Sequence, residues 1–149
     1  PIIILGSLLF TSYKDIASKI FLWLFFISGF WLWVIGRESF HIGASGVIYA
    51  LASFLFVSGF IRKNPRLAAV SMVVIFLYGS MIWGVLPVKE GVSWEGHLAG
   101  FLAGILIAIF YKNEGPQQKK YQWEIDEELE MMNKEINSLE INYVLKEKK

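Results

Sequence analysis

Long apolar runs divide this chain, and each is closed by a short polar stretch. A bilayer core takes about 20 apolar helical residues per span. Four runs approach that length: Ile16 to Ile35, Ile42 to Phe60, Leu67 to Leu86 and Val92 to Tyr111. Pro1 to Phe10 makes half a span, and with Pro1 in place of a methionine it reads as the end of a fifth helix whose beginning lies upstream. After Tyr111 the pattern reverses, and Lys112 to Lys149 is strongly charged. The pattern predicts an all-α protein, with a polytopic membrane helix bundle over residues 1–111 and a charged, helical tail over 112–149. Four full spans and the end of a fifth are expected.

The tail carries its own rhythm. Ile125, Leu129, Met132, Ile136, Leu139 and Tyr143 recur at intervals of four and three, a heptad-like stripe among glutamates and lysines. Gly115-Pro116 breaks the chain ahead of it. The stripe is short for a stable coiled coil, so weak self-association is expected of it; a solvated helix or a membrane-surface helix fits the same pattern.

Composition narrows the function classes. Only 18% of residues are charged, against about 25% in ordinary soluble domains, which places the bundle in lipid. A net charge of +1 gives no basic field for nucleic acid. With no cysteine, disulfides, thiolate catalysis and thiolate metal sites are excluded, and no cofactor or metal is expected. Basic residues set the orientation. Lys14 and Lys19, then Arg62, Lys63 and Arg66, then Lys112, Lys119 and Lys120 mark one side as cytoplasmic, tail included. Trp31, Trp33, Trp83 and Trp94 fall near the opposite, external ends, where indole rings favour the interface. A multi-pass protein of a bacterial plasma membrane is expected.

Polar residues inside apolar spans are costly and therefore draw attention. Ser45 lies in Gly43-Ala44-Ser45-Gly46 at the head of one span, and His97 lies near the head of another. One full span separates the two, so both enter from the external side. At 1.5 Å rise per residue, each sits roughly 5–8 Å below that boundary. Gly96, Gly100 and Gly104 recur every four residues and Gly46 follows the serine, a spacing that lets membrane helices approach closely. Tyr49 falls one turn after Ser45 on the same face, where it can brace the imidazole. Asp15 falls on the cytoplasmic side, and Glu90 and Glu95 in the external loop, so none makes a third member. The arrangement suits a dyad, with His97 as general base and Ser45 as nucleophile. The helix start after Ser45 offers backbone N–H groups to an oxyanion. Taken singly, each feature has a plainer reading. The Gly-Ala-Ser-Gly run is a packing surface, the histidine a proton relay, metal ligand or packing residue, and Tyr49 ordinary core. The weight rests on their conjunction of type, depth and spacing.

Gly43-Ala44-Ser45-Gly46, Tyr49 four residues after the serine, and His97-x-x-Gly100-x-x-x-Gly104 one span later resemble the rhomboid intramembrane serine proteases. The resemblance covers roughly Pro1 to Tyr111. It implies a six-helix bundle that cleaves transmembrane substrates in or near the bilayer. Ser45 would be the nucleophile, His97 the base, Tyr49 the residue stacked on it, and Gly43 the shaper of the oxyanion loop. Rhomboids usually add a histidine and an asparagine from their second helix as oxyanion donors. Pro1 to Phe10 holds neither, so those donors are expected upstream of Pro1. The loop Pro87 to Glu95 would cap the site and admit water, or serve as a plain connector. The Leu67 to Leu86 helix would be a lateral gate or a structural helix.

The leading function is therefore an intramembrane serine endopeptidase acting on transmembrane proteins. The second is a catalytically inactive relative that binds transmembrane clients. A small transporter or channel is third, because Ser45 and His97 give too few waypoints for an ion route.

Overall fold

The computed structural model describes residues 1–37, 44–87, 93–117 and 121–147, with side chains as far as residue 137 in the last stretch. Every regular element among them is helical: α1 (Ile2–Ser12), α2 (Ala17–Ile35), α3 (Ser45–Ile61), α4 (Pro65–Tyr78), a 3₁₀ segment (Gly79–Val85), α5 (Trp94–Phe110) and α6 (Gln122–Glu147). Pro1–Gln118 forms one compact unit and Lys119–Lys149 a second, which consists of α6. In that second unit Leu129, Met132 and Ile136 are exposed to solvent, while Leu139 and Tyr143 lie outside the described side chains.

Helix α3 is the axis of the first unit. It packs against α1, α2, α4 and, most extensively, α5. Leu51, Phe54 and Leu55 of α3 meet Leu5 and Leu9 of α1, Ile20 and Leu24 of α2, Leu67 and Val74 of α4, and Ile107 and Ala108 of α5. Helix starts are set locally. Asn64 accepts a hydrogen bond from the Arg66 N–H (3.0 Å) and Pro65 occupies the first turn of α4, where its missing N–H costs nothing. Ser93 caps α5 by accepting from the Gly96 N–H.

Packing and polarity are distributed for lipid. Phe76 is 87% exposed and Phe110 73%, with Phe25, Phe26, Phe30 and Trp33 of α2 also outward. The interior, by contrast, holds Ser53, Ser58 and Ser71. In water each exposed phenylalanine would forgo about 1.5–3 kcal/mol of burial, so the outer belt calls for an apolar solvent. Inside, hydroxyls knit the helices together: Ser71 of α4 donates across to the Leu55 and Phe56 carbonyls of α3 at 3.0 and 2.9 Å. Two stretches, Ala17–Ile35 and Pro65–Val85, are long and apolar enough to cross a membrane by length and composition. Ile2–Ser12, Ser45–Ile61 and Trp94–Phe110 are shorter apolar helices.

Two expectations are corrected. The run Leu67 to Leu86 is not one continuous α-helix: α4 ends at Tyr78 and the chain tightens into the 3₁₀ segment. Gly79 and Gly84 bracket that segment, and glycine is among the weakest helix formers. Glu95 is not a loop residue. It stands in the first turn of α5, only 2% exposed, where the helix dipole favours a carboxylate. Arg37, just beyond α2, pairs with it; the Arg37 Nη2 to Glu95 Oε2 contact is 3.4 Å.

At the opposite end of α3, Arg62 is buried. Its Nε donates to Ser58 Oγ (2.9 Å), and its terminal nitrogens donate to the carbonyls of Tyr111, Glu114 and Pro116. The guanidinium lies 5.3 Å from the Tyr13 ring centroid, a cation–π arrangement. The Tyr13 hydroxyl also donates to Ser58 Oγ, at 2.9 Å. Burial pushes the Tyr13 phenol up, which keeps it a neutral donor.

Candidate active site

The contact between α3 and α5 is backbone on backbone. A Cβ built on Gly100 would lie 2.0 Å from the Gly46 carbonyl oxygen, and one on Gly46 would lie 3.1 Å from the Gly96 carbonyl oxygen. Further along, a Cβ on Gly104 would meet Ser53 Oγ and the Ala50 carbonyl. A side chain at Gly100 would wedge the helices apart, so the four-residue glycine spacing is what allows this approach. Gly96 faces the other way, towards Ser93 Oγ and Leu32.

That contact carries the polar residues with it. Ser45 is the first residue of α3 and immediately precedes Gly46. His97 is in the first turn of α5, between Gly96 and Gly100. Tyr49, one turn after Ser45 on α3, stacks on His97 with ring centroids 4.2 Å apart and planes 16° from parallel. Tyr49 lies four residues after Ser45 on α3, so the stacked imidazole packs against the helix that Ser45 begins. Gly43 lies outside the described residues.

The 3₁₀ segment closes the other side of the two rings. The Tyr49 hydroxyl donates to the Met81 carbonyl at 2.6 Å. His97 Nδ1 lies 2.8 Å from the Gly84 carbonyl oxygen. A carbonyl can only accept, so this contact calls for a proton on Nδ1; in the neutral ring that leaves the lone pair on Nε2, the form a general base requires.

Ser45 opens onto a cavity of about 440 Å³. Phe25, Phe26, Phe30 and Leu32 of α2 wall it, and Gly46 and Gly96 line its side towards α3 and α5. Ser28 and Ser93 add hydroxyls to an otherwise apolar lining. This is the usual form of a small-molecule or side-chain site, mostly apolar with a few polar groups. No group of three or more histidine, aspartate or glutamate side chains able to hold a metal ion occurs among the described residues.

Met81, Gly84 and the Arg37–Glu95 pair went unnoticed in the sequence. The glycines at 79 and 84, and the Pro87 after them, were the available signal of a broken helix.

These features define a helical membrane protein whose lipid-facing bundle brings a serine and a histidine to one end. The chain matches the model of the Rhomboid domain over residues 2–114 and belongs to the rhomboid family. It is 35% identical over 131 residues to the uncharacterized protein Rv1337 of Mycobacterium tuberculosis, covering 80% of this chain and 52% of that protein. The uncharacterized protein ML1171 of Mycobacterium leprae is also 35% identical over 131 residues, covering 80% and 50%. The chain thus spans about half the length of the curated relatives it matches. No solved structure matches.

Proposed function

We propose that this chain is the catalytic part of an intramembrane serine endopeptidase that cleaves transmembrane proteins with a Ser45–His97 dyad. The observation that carries this reading is the set of contacts on His97. Tyr49 stacks on the ring, and the Gly84 carbonyl lies against Nδ1, which leaves Nε2 free to act as the base towards Ser45 at the head of the adjoining helix. Such pre-set geometry is what a near-attack arrangement needs.

In this mechanism Ser45 Oγ attacks the scissile carbonyl as His97 Nε2 takes its proton. The imidazolium then protonates the leaving amine. A water, activated by the same nitrogen, hydrolyses the acyl-enzyme and frees Ser45. Backbone N–H groups of the Ser45 turn at the head of α3, together with the Gly43 loop, stabilise the oxyanion. The 440 Å³ cavity beside Ser45 receives an apolar side chain of the substrate, and its serine hydroxyls favour water there.

The proposed bundle has four full spans and the end of a fifth. Ser45 and His97 lie towards the external face, and the α6 tail lies in the cytoplasm, where its apolar stripe supports weak self-association. The test uses the full-length protein in liposomes with a single-span substrate. Cleavage is expected, together with labelling of Ser45 by a fluorophosphonate, and both are lost in Ser45→Ala and His97→Ala. Cleavage retained by Ser45→Ala overturns the mechanism. Binding of transmembrane clients without cleavage or labelling supports the inactive-relative reading instead.

A further inference from the structure

The 3₁₀ segment ends in a carbonyl that its own backbone cannot satisfy. In a 3₁₀ helix the carbonyl of residue i accepts from the N–H of residue i+3. For Trp83 that partner is Leu86, and the bond is made at 3.3 Å. For Gly84 the partner would be Pro87, which has no N–H. The Gly84 carbonyl therefore has no i+3 donor to continue the 3₁₀ pattern, and the structure turns it onto His97 Nδ1 at 2.8 Å.

The space around that bond is tight. A Cβ on Gly84 would stand 2.0 Å from Tyr49 Oη and 3.2 Å from both Tyr49 Cζ and His97 Nδ1. Any side chain there would drive into the stacked pair. The Tyr49 hydroxyl is itself held to the same segment through the Met81 carbonyl. The 3₁₀ segment thus grips both rings at once, through two backbone oxygens three residues apart.

We propose that the backbone carbonyl of Gly84 is the positioning group for His97. It fixes the Nδ1–H tautomer and ring direction, as a carboxylate does in a serine–histidine–aspartate triad. Gly84 is the residue that makes this approach possible. The carbonyl orients the imidazole without adding a negative charge, which suits a site of low polarity. The catalytic consequence rests on the peptidase reading; the tautomer assignment does not.

The tautomer is read directly by nitrogen-15 NMR of histidine-labelled full-length protein in lipid. The His97 resonances are those missing from a His97→Gln sample. In the neutral ring Nδ1 is expected to be protonated and Nε2 unprotonated. A neutral His97 protonated at Nε2 overturns the proposal. Gly84→Ala is expected to mix the tautomers and lower kcat at least tenfold while KM changes less than twofold. Tyr49→Phe removes the atom nearest to the new Cβ. The loss caused by Gly84→Ala should therefore be several-fold smaller in the Tyr49→Phe background than in the parent. Gly84→Ala with the parent tautomer and kcat, or an equal loss in both backgrounds, overturns it. If Nδ1 is protonated but neither cleavage nor Ser45 labelling occurs, the peptidase reading fails and the assignment stands. If cleavage depends on Ser45 and His97 while Nε2 is protonated, the assignment fails and the peptidase reading stands.

Discussion

Replacing Gly100 by alanine tests whether the α3–α5 contact sets the geometry of the proposed dyad. The new Cβ would lie 2.0 Å from the Gly46 carbonyl oxygen, 2.8 Å from its carbonyl carbon and 3.1 Å from its Cα. All three atoms are backbone, so no rotamer change relieves the clash. The oxygen is roughly 1.4 Å short of the 3.4 Å at which ordinary contact begins, so the helices must part by about that much. Ser45 adjoins Gly46, and His97 lies less than a turn from Gly100, so the gap opens between the helix turns that carry the two residues of the proposed dyad. A misplacement of about 1 Å can cost 10²-fold in rate, and overpacking of this kind costs about 1–3 kcal/mol in stability. Gly100→Ala should therefore lower kcat/KM about 10²-fold and also lower the thermal midpoint. Gly46→Ala, whose Cβ would sit 3.1 Å from the Gly96 oxygen, needs a shift of only a few tenths of an ångström and should cost a few-fold. Gly6→Ala meets nothing within 4 Å and serves as the control. Cleavage rates and thermal unfolding in one detergent give the ranking. Gly100→Ala cleaving within threefold of the parent, or no faster loss than Gly6→Ala, would refute the reasoning.

Other variants probe neighbouring contacts. Stacking alone would make Tyr49→Phe nearly silent. The hydroxyl bond to Met81, worth about 0.5–1.5 kcal/mol, should instead place it between the parent and a much slower Tyr49→Ala, read as kcat. Arg37→Gln strips a buried carboxylate of its cation. The loss should exceed the ~0–1 kcal/mol of an exposed pair but fall short of the 3–5 kcal/mol of a buried one, since Arg37 is largely exposed. Adding Glu95→Gln should restore the thermal midpoint. Gly29 lines the cavity beside Ser45 and has open space at its Cβ, so Gly29→Leu should fold normally. It should slow cleavage of substrates with bulky apolar side chains while leaving fluorophosphonate labelling of Ser45 intact; unchanged substrate preference would remove the cavity from the substrate path.

The helices were legible because apolar runs of membrane length have few other uses, and α2 and α5 begin and end within a few residues of the runs that predicted them. The closeness of Ser45 and His97 to one end was legible from counting spans, and the α3–α5 approach from glycines four residues apart. What escaped notice had a common cause. Hydropathy averages over a window, so it passed through the break at Gly79 and missed a carbonyl whose partner is a proline. It also assigned Glu95 to a loop, because a charge beside Gly96 looks solvated until Arg37, 58 residues away in sequence, is brought against it. Arg62 counted as a mark of orientation, while its burial against the carbonyls beyond α5 depends on chain reversals that no local pattern encodes.

Arg62 has a consequence at the far end of the helix it terminates. From Ile61 to Ser45 is about 24 Å along α3, at 1.5 Å per residue. Over that arm a tilt of only 3° carries the serine about 1.3 Å sideways. The guanidinium fastens the foot of α3 to the carbonyls that follow α5, so it sets the angle at which the two helices leave a common anchorage. Precision at the head of the bundle is thus governed partly at its foot, the way the aim of a long pointer depends on its mount.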